Sequence, residues 1–196
     1  MPGYFDFQGE MYQGMRAVDI ATIVVCAVSG VQVGTEKAWD YCEKIKLPRA
    51  FFINKMDREN ANFEKTLEQI QEKFGMGIIP IQYPIGKENE FNGIVDIISK
   101  TALKYDLKTY KTEEIDIPEE MIDKIEEYKQ MVMEAVAETD EELLDKYLNN
   151  GELSDDDIYS GLIRGCAQGE IAPVLCGSAS KVIGIKSMID SIIQCF

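Results

Sequence analysis

Three short runs of this chain are almost wholly apolar: Ile20–Val28, Ala50–Ile53 and Ala172–Cys176. Runs of that length, rich in β-branched and aromatic residues, read as strands covered on both faces, the habit of parallel sheets in α/β folds. The second stops abruptly at Asn54-Lys55-Met56-Asp57 and the third at Gly177-Ser178-Ala179-Ser180-Lys181. Ligands of open α/β sheets bind beyond the carboxyl ends of the strands. These two breaks are therefore the first places to look for a site.

The chemistry of the first break suits guanine, which carries two donors on one edge and the acceptors O6 and N7. The Asp57 carboxylate can accept from N1–H and the N2 amino group side by side, with charged hydrogen bonds worth roughly 1.5–3 kcal/mol each. The Asn54 amide can serve N7 and brace the loop, and Lys55 can lay its methylene stem over the base while its ammonium stays in water. Adenine would face the carboxylate with the wrong edge. At the second break, the small residues Ser178 and Ala179 let a backbone N–H approach a ligand oxygen closely. A strand end followed by a helix cap would account for Asn-Lys-x-Asp equally well if it stood alone.

The 196 residues suffice for one large domain, or a domain with an insertion. No apolar run approaches the ~18 residues of a membrane span, and no signal peptide precedes the first element, so the chain reads as cytosolic. Its five cysteines are scattered and it has no histidine, which argues against a zinc site or a disulfide framework. The net charge of −15 is local: residues 113–157 hold eighteen Asp or Glu against three Lys, and the remainder is balanced. Such a surface repels DNA. It reads as a solvated helical face or a docking surface for a basic protein.

Along the chain, Met11, Met15 and Val18 predict a helix over 9–18, and Thr35 can cap a helix over 36–46 lined by Ala38, Trp39, Cys42 and Ile45. Gly30…Gly34-Thr35-Glu36-Lys37 lacks the Gly-x-x-x-x-Gly-Lys-Ser/Thr spacing of a phosphate loop. Phe63, Leu67, Ile70 and Phe74 give an amphipathic helix closed by Gly75. Short strands are expected at 78–84, 93–98 and 103–108. Helices follow from Pro118, from Thr139 or Asp140, and from Ser154, and a last one carries Ile185, Met188, Ile189, Ile192 and Ile193. Residues 76–170 thus interrupt a βαβ pattern that residues 1–75 begin and 171–196 complete.

Taken in order, Pro2-Gly3-Tyr4-Phe5-Asp6-Phe7, Ser29-Gly30-Val31-Gln32, Asn54-Lys55-Met56-Asp57-Arg58, Pro84-Ile85-Gly86, Gly93-Ile94-Val95-Asp96 and Cys176-Gly177-Ser178-Ala179 make a specific set. The chain resembles the GTP-binding (G) domain of translation elongation factor G, and more closely its elongation factor G-like paralogues, along nearly all its length. The resemblance implies a partial P-loop NTPase fold: an α/β parallel sheet lacking its first strands, with an inserted α+β subdomain. It assigns guanine binding to Asn54, Lys55, Asp57, Ser178, Ala179 and Lys181, and a switch-like loop to Pro2, Gly3 and Asp6.

Two departures stand out. The family's Asp before Pro-Gly has no counterpart, and its catalytic histidine is replaced by Tyr4, a phenol titrating too high to act as a base at neutral pH. The phosphate loop, its lysine and the magnesium ligands of a GTPase have no counterpart in this sequence either. The resemblance thus implies a truncated portion of a cytoplasmic, ribosome-associated GTPase that uses GTP/GDP and Mg2+ when complete. The portion alone is expected to recognise guanine weakly and to be inactive. The family's acidic insertion meets the ribosomal stalk protein, which points to the 119–147 region. A non-catalytic interaction module and a ribosomal protection protein of the tetracycline-resistance type are the alternatives. Three strands, near 20–28, 49–54 and 172–176, are expected in the surviving sheet, the first with a bare edge inviting self-association.

Overall fold

The computed structural model describes residues 5–75, 77–107, 109 and 111–196. After a 3₁₀ turn at Phe5–Phe7 come α1 (Gln8–Met15), β1 (Ala21–Cys26), α2 (Val33–Ile45), β2 (Arg49–Asn54) and α3 (Phe63–Phe74). The middle of the chain holds β3 (Ile78–Pro80), β4 (Gln82–Ile85), β5 (Gly93–Asp96), β6 (Thr101–Tyr105) and β7 (Thr112–Ile115). Then follow α4 (Ile122–Ala137), α5 (Glu141–Asn150), α6 (Asp155–Gln168), β8 (Ala172–Cys176) and α7 (Ile185–Cys195). Among the described residues these strands form two sheets, a parallel one in the order β1-β2-β8-β3 and an antiparallel meander β4-β5-β6-β7.

The parallel sheet has four strands rather than three. Ile78–Pro80 pairs in parallel with Ala172–Val174, while Gln82–Ile85 pairs antiparallel with Gly93–Asp96. The single strand expected over 78–84 is therefore two strands that change sheets at Ile81. There Ile81 N–H donates to Val174 O at 3.1 Å, and Ile81 O accepts from Ile97 N at 3.1 Å. Gln82 locks the junction: its buried amide donates to Ser191 Oγ at 3.2 Å and accepts from Cys176 N at 3.3 Å. A buried amide satisfied from two other elements holds the meander against the parallel sheet.

Strand β2 is buried along Arg49–Ile53 and β8 along its whole length, as continuous apolar runs demand. Strand β1 departs from that expectation. It lies at the sheet's edge, with Ile23 and Val25 buried but Val24 59% exposed. Alternation of side chains puts Val24 on the face opposite Ile23 and Val25. The face of Ile23 and Val25 is covered; on the other, Val24 is exposed between half-buried Thr22 and Cys26.

On the covered face, Trp39 of α2 stacks on Phe51 of β2 at 5.5 Å and on Phe74 of α3 at 4.8 Å. Such ring pairs add about 0.5–1.5 kcal/mol beyond the area they bury. Helix α1 ends at Met15, so Val18 lies outside it and is exposed. Thr35 is not the N-cap of α2. That place belongs to Gln32, and Thr35 Oγ1 reaches back from the third helical position to accept from Gln32 N at 3.2 Å. Asn62, Asp140 and Ser154 cap α3, α5 and α6 with side-chain oxygens. Strand β7, Thr-Glu-Glu-Ile, was not foreseen; it is a polar edge strand without an apolar alternation.

Candidate functional site

Ile53 and Cys176 are register partners in neighbouring parallel strands, so the chain leaves β2 and β8 side by side at the same end of the sheet. Gly177 N–H donates to Ile53 O at 3.0 Å, and Met56 N–H donates to Gly177 O at 3.2 Å. The two loops therefore start as one hydrogen-bonded unit. A Cβ on Gly177 would lie 2.5 Å from Ile183 O and 2.8 Å from the Phe52 ring, so only glycine lets the second loop cross this closely.

Asn54 ties the loops together further out. Its Oδ1 accepts from Lys55 N at 2.7 Å and from Ala179 N at 3.0 Å. The bracing expected of Asn54 is thus present. The Ala179 N–H, expected to serve a ligand oxygen, is engaged by Asn54 in this structure. Lys55 takes a left-handed φ of 66° and Val182 one of 58°. Such a conformation costs a non-glycine residue roughly 1–2 kcal/mol, most where the side chain is β-branched. The Val182 turn is closed by Ser178 and Ile183, which exchange backbone hydrogen bonds at 3.0 and 3.1 Å.

Ser178 is fully buried and its hydroxyl works inside the loop, accepting from Lys181 N at 3.2 Å and pairing with Ser180 Oγ at 3.1 Å. Ser180, which the sequence reading did not select, donates to Asp57 Oδ2 at 3.4 Å. The other oxygen of Asp57, Oδ1, is buried and has no hydrogen-bond partner. Among the described residues it shares that condition with two other side-chain atoms, Arg49 Nε and Asn92 Oδ1. A buried acceptor without a donor costs about 1–3 kcal/mol. The loops bring Asn54, Lys55, Asp57, Ser178, Ala179 and Lys181 to one end of the sheet.

Cys26, also unselected, ends β1 as the register partner of Asn54. Burial pushes its thiol up, but hydrogen bonds from Ser29 and Val28 and the charge of Lys55 outweigh it and hold the thiol below its ordinary value. Of the switch-like residues, Asp6 is exposed in the 3₁₀ turn before α1. Pro2, Gly3 and Tyr4 lie outside the described residues. Among the described residues no three His, Cys, Asp or Glu side chains converge as a metal site. No described helix is long and apolar enough to cross a membrane.

The family model for the elongation factor Tu GTP binding domain matches residues 1–196. The crystal structure of a protein from Thermus thermophilus is similar with a TM-score of 0.91 and 32% identity, covering 100% of this chain and 29% of that one. The chain thus spans less than a third of that relative's length. The family match, the parallel sheet and the paired loops agree, and the chain belongs to the elongation factor Tu GTP-binding domain family, as an α/β G domain of the elongation factor G kind.

Proposed function

We propose that the Asn54–Asp57 and Ser178–Lys181 loops together recognise the base of a guanine nucleotide. The carrying observation is the unpartnered, buried Oδ1 of Asp57, beside an Oδ2 that meets only a long hydrogen bond from Ser180. A carboxylate in that state is short of donors, and the N1–H and N2 amino group of guanine supply two in parallel. Asn54 Oδ1 is spent on Lys55 and Ala179, which leaves its Nδ2 to face N7. Lys55, exposed and fixed in a left-handed turn, covers the ring with its stem. Residues 1–75 and 171–196, with β3, carry this site, and the rest of 76–170 is an inserted subdomain.

In the complete protein, GTP with Mg2+ would be held by phosphate-binding residues that this sequence does not contain, and hydrolysis would drive a conformational step on the ribosome. The 196 residues alone bind the base without its phosphates and do not hydrolyse GTP. Their affinity for GDP is on the order of millimolar, the range of a few uncompensated hydrogen bonds. The test is a titration of the chain with GDP, ADP and XDP, followed by amide chemical shifts. GDP saturates the shifts of Asp57 and Ala179 and ADP does not. In Asp57→Asn the preference moves to XDP, whose O2 accepts from the new amide. Equal responses to GDP and ADP, or an unchanged preference in the variant, defeat the assignment.

Two partner surfaces belong to the same reading. The acidic stretch 113–157 lies on α4, α5 and α6 and their flanks, where Glu119, Glu126, Glu138 and Glu142 are exposed. We assign the 119–147 part of it to a ribosomal stalk protein. The open edge of β1, with Val24 exposed, is a pairing surface for a second chain. Sedimentation of the chain alone and with a purified stalk domain examines both. A boundary that grows faster with concentration supports the edge, and co-sedimentation supports the acidic surface. A concentration-independent monomer, or no co-sedimentation, removes the corresponding surface.

A further inference from the structure

A groove of about 670 Å³ opens where the inserted meander meets the N-terminal end of α3, with Met56 on its lining. Its walls are largely apolar: Phe63 meets Tyr83 edge to face at 5.5 Å, and Pro84, Pro118 and Met121 complete them. A volume between about 300 and 1,000 Å³ with few polar groups is the usual form of a ligand site. The charged groups here are mostly of one sign. Glu64, Glu90 and Glu120 line the groove against Lys87 alone. The Glu64 carboxylate already accepts from Tyr83 Oη at 2.5 Å. Burial, and then that bond and the charge of Glu64, push the Tyr83 phenol well above its ordinary value, so Tyr83 stays neutral and acts as a wall. Asn92, also on the lining, has an Oδ1 that is buried and has no hydrogen-bond partner.

We propose that this groove is a docking site for an arginine side chain carried on an apolar segment of a partner protein. The groove carries three carboxylates against one ammonium and offers flat apolar walls. A guanidinium supplies five donors in a plane, keeps its charge, and stacks on aromatic and proline faces. Its donors reach Asn92 Oδ1 and the exposed carboxylates Glu90 and Glu120, while neighbouring apolar residues cover Met121 and Pro118. A lysine ammonium satisfies the charge but not the planar stacking.

The groove is also wired to the loop that follows Asp57. Glu88 Oε1, from the groove's 86–92 rim, accepts from Asn60 N at 2.8 Å, and Asn60 holds a left-handed φ of 62°. Met56, 2% exposed, lines the groove and sits between Lys55 and Asp57. The groove and the Asp57 loop thus share Met56 and the Asn60–Glu88 hydrogen bond.

The experiment uses the 196-residue chain, isotope-labelled, and the peptide acetyl-Leu-Arg-Phe-amide, with its citrulline and lysine counterparts and spermidine as comparisons. The arginine peptide saturates the shifts of Tyr83, Asn92 and Glu120, and the citrulline peptide binds at least about 5-fold more weakly because charge-assisted hydrogen bonds are roughly twice as strong as neutral ones. Glu90→Gln with Glu120→Gln, both exposed positions whose change leaves the fold intact, weakens the arginine peptide by a similar factor. Asn92→Asp strengthens it. Spermidine or the lysine peptide binding as tightly as arginine overturns the guanidinium assignment. Shifts spread over α4 and α5 instead of the groove, or none that saturate, overturn the site itself. The result does not depend on nucleotide binding, so a failed GDP titration leaves it standing.

Discussion

Arg49 and Asp57 are charged residues placed near opposite ends of the same strand, and the molecule treats them in opposite ways. Arg49 opens β2 and is 3% exposed. Its guanidinium lies 3.8 Å from the centre of the Trp39 ring, pairs with Glu43, and donates to Leu47 O at 3.4 Å. Its Nε has no hydrogen-bond partner, yet the ring face answers the charge. Asp57, three residues beyond the strand's other end, has one long hydrogen bond and one orphaned oxygen. Unpaired polarity at the amino end of the sheet is absorbed by packing. At the carboxyl end it is left open, between loops that hold Lys55 and Val182 in strained backbone. The amino end has its own left-handed residue, Lys46 at φ 54°, and its own orphaned atom, so what separates the two ends is the partner: the Trp39 ring faces the charge of Arg49, and Asp57 Oδ1 has no such neighbour among the hydrogen bonds of the described residues.

The difference is broken most forcefully at Arg49. Arg49→Ala removes the stem and the ring contact and leaves Glu43, half exposed, to be solvated by water. The expected loss is about 2–4 kcal/mol, the range for a buried residue that loses packing together with a charge partner. Urea unfolding followed by Trp39 fluorescence measures it. A loss under about 1 kcal/mol would mean that the amino end is no more committed to packing than the carboxyl end.

Asp57→Ala should act with the opposite sign. Removing the orphaned oxygen relieves a buried acceptor at the expense of one weak contact with Ser180, so stability rises by about 0.5–1 kcal/mol while the response to GDP disappears. The same unfolding curves, read beside the GDP titration, decide it. Destabilisation comparable to that of Arg49→Ala would place Asp57 among structural residues and dissolve the contrast.

Much of this arrangement is legible in the residues themselves, and the omissions have physical causes. Ala50–Ile53 and Ala172–Cys176 are buried on both faces and read so, because every position is apolar. Ile20–Val28 reads the same way, yet Val24 is exposed: a residue run records what a strand can tolerate, not which neighbours it has. The break at Ile81 is hidden because Ile78–Ile85 is apolar apart from Gln82 and Tyr83, and only pairing with β8 and then β5 divides it. At the site, Asn54 and Asp57 stand out because the amide and carboxylate follow an apolar strand. Ser180 and Cys26 do not, since their roles arise from contacts 123 residues apart in one case and from strand register in the other. The bond from Ala179 to Asn54 is equally invisible before the two loops are placed side by side.

Asp96 sharpens the comparison with the smallest effect, since it is a carboxylate whose donors come from its own chain. Its Oδ1 accepts from Ile98 N at 3.1 Å, Ser99 N at 2.9 Å and Ser99 Oγ at 3.0 Å. Burial still pushes its pKa above the ordinary 3.8, and those three donors pull it back only in part. A folded value above the unfolded one means that the native state holds the proton to higher pH than the unfolded chain does. Stability due to this group is therefore greatest at acid pH and declines as pH rises from the unfolded value through the folded one. Asp96→Asn cannot titrate and keeps an acceptor for the same donors. The stability of the original chain minus that of the variant should fall across this acidic window and level off above it. A difference that rises with pH would show that the three donors overcome burial, and that a carboxylate in this protein is comfortable once its own chain supplies the hydrogen bonds that Asp57 lacks.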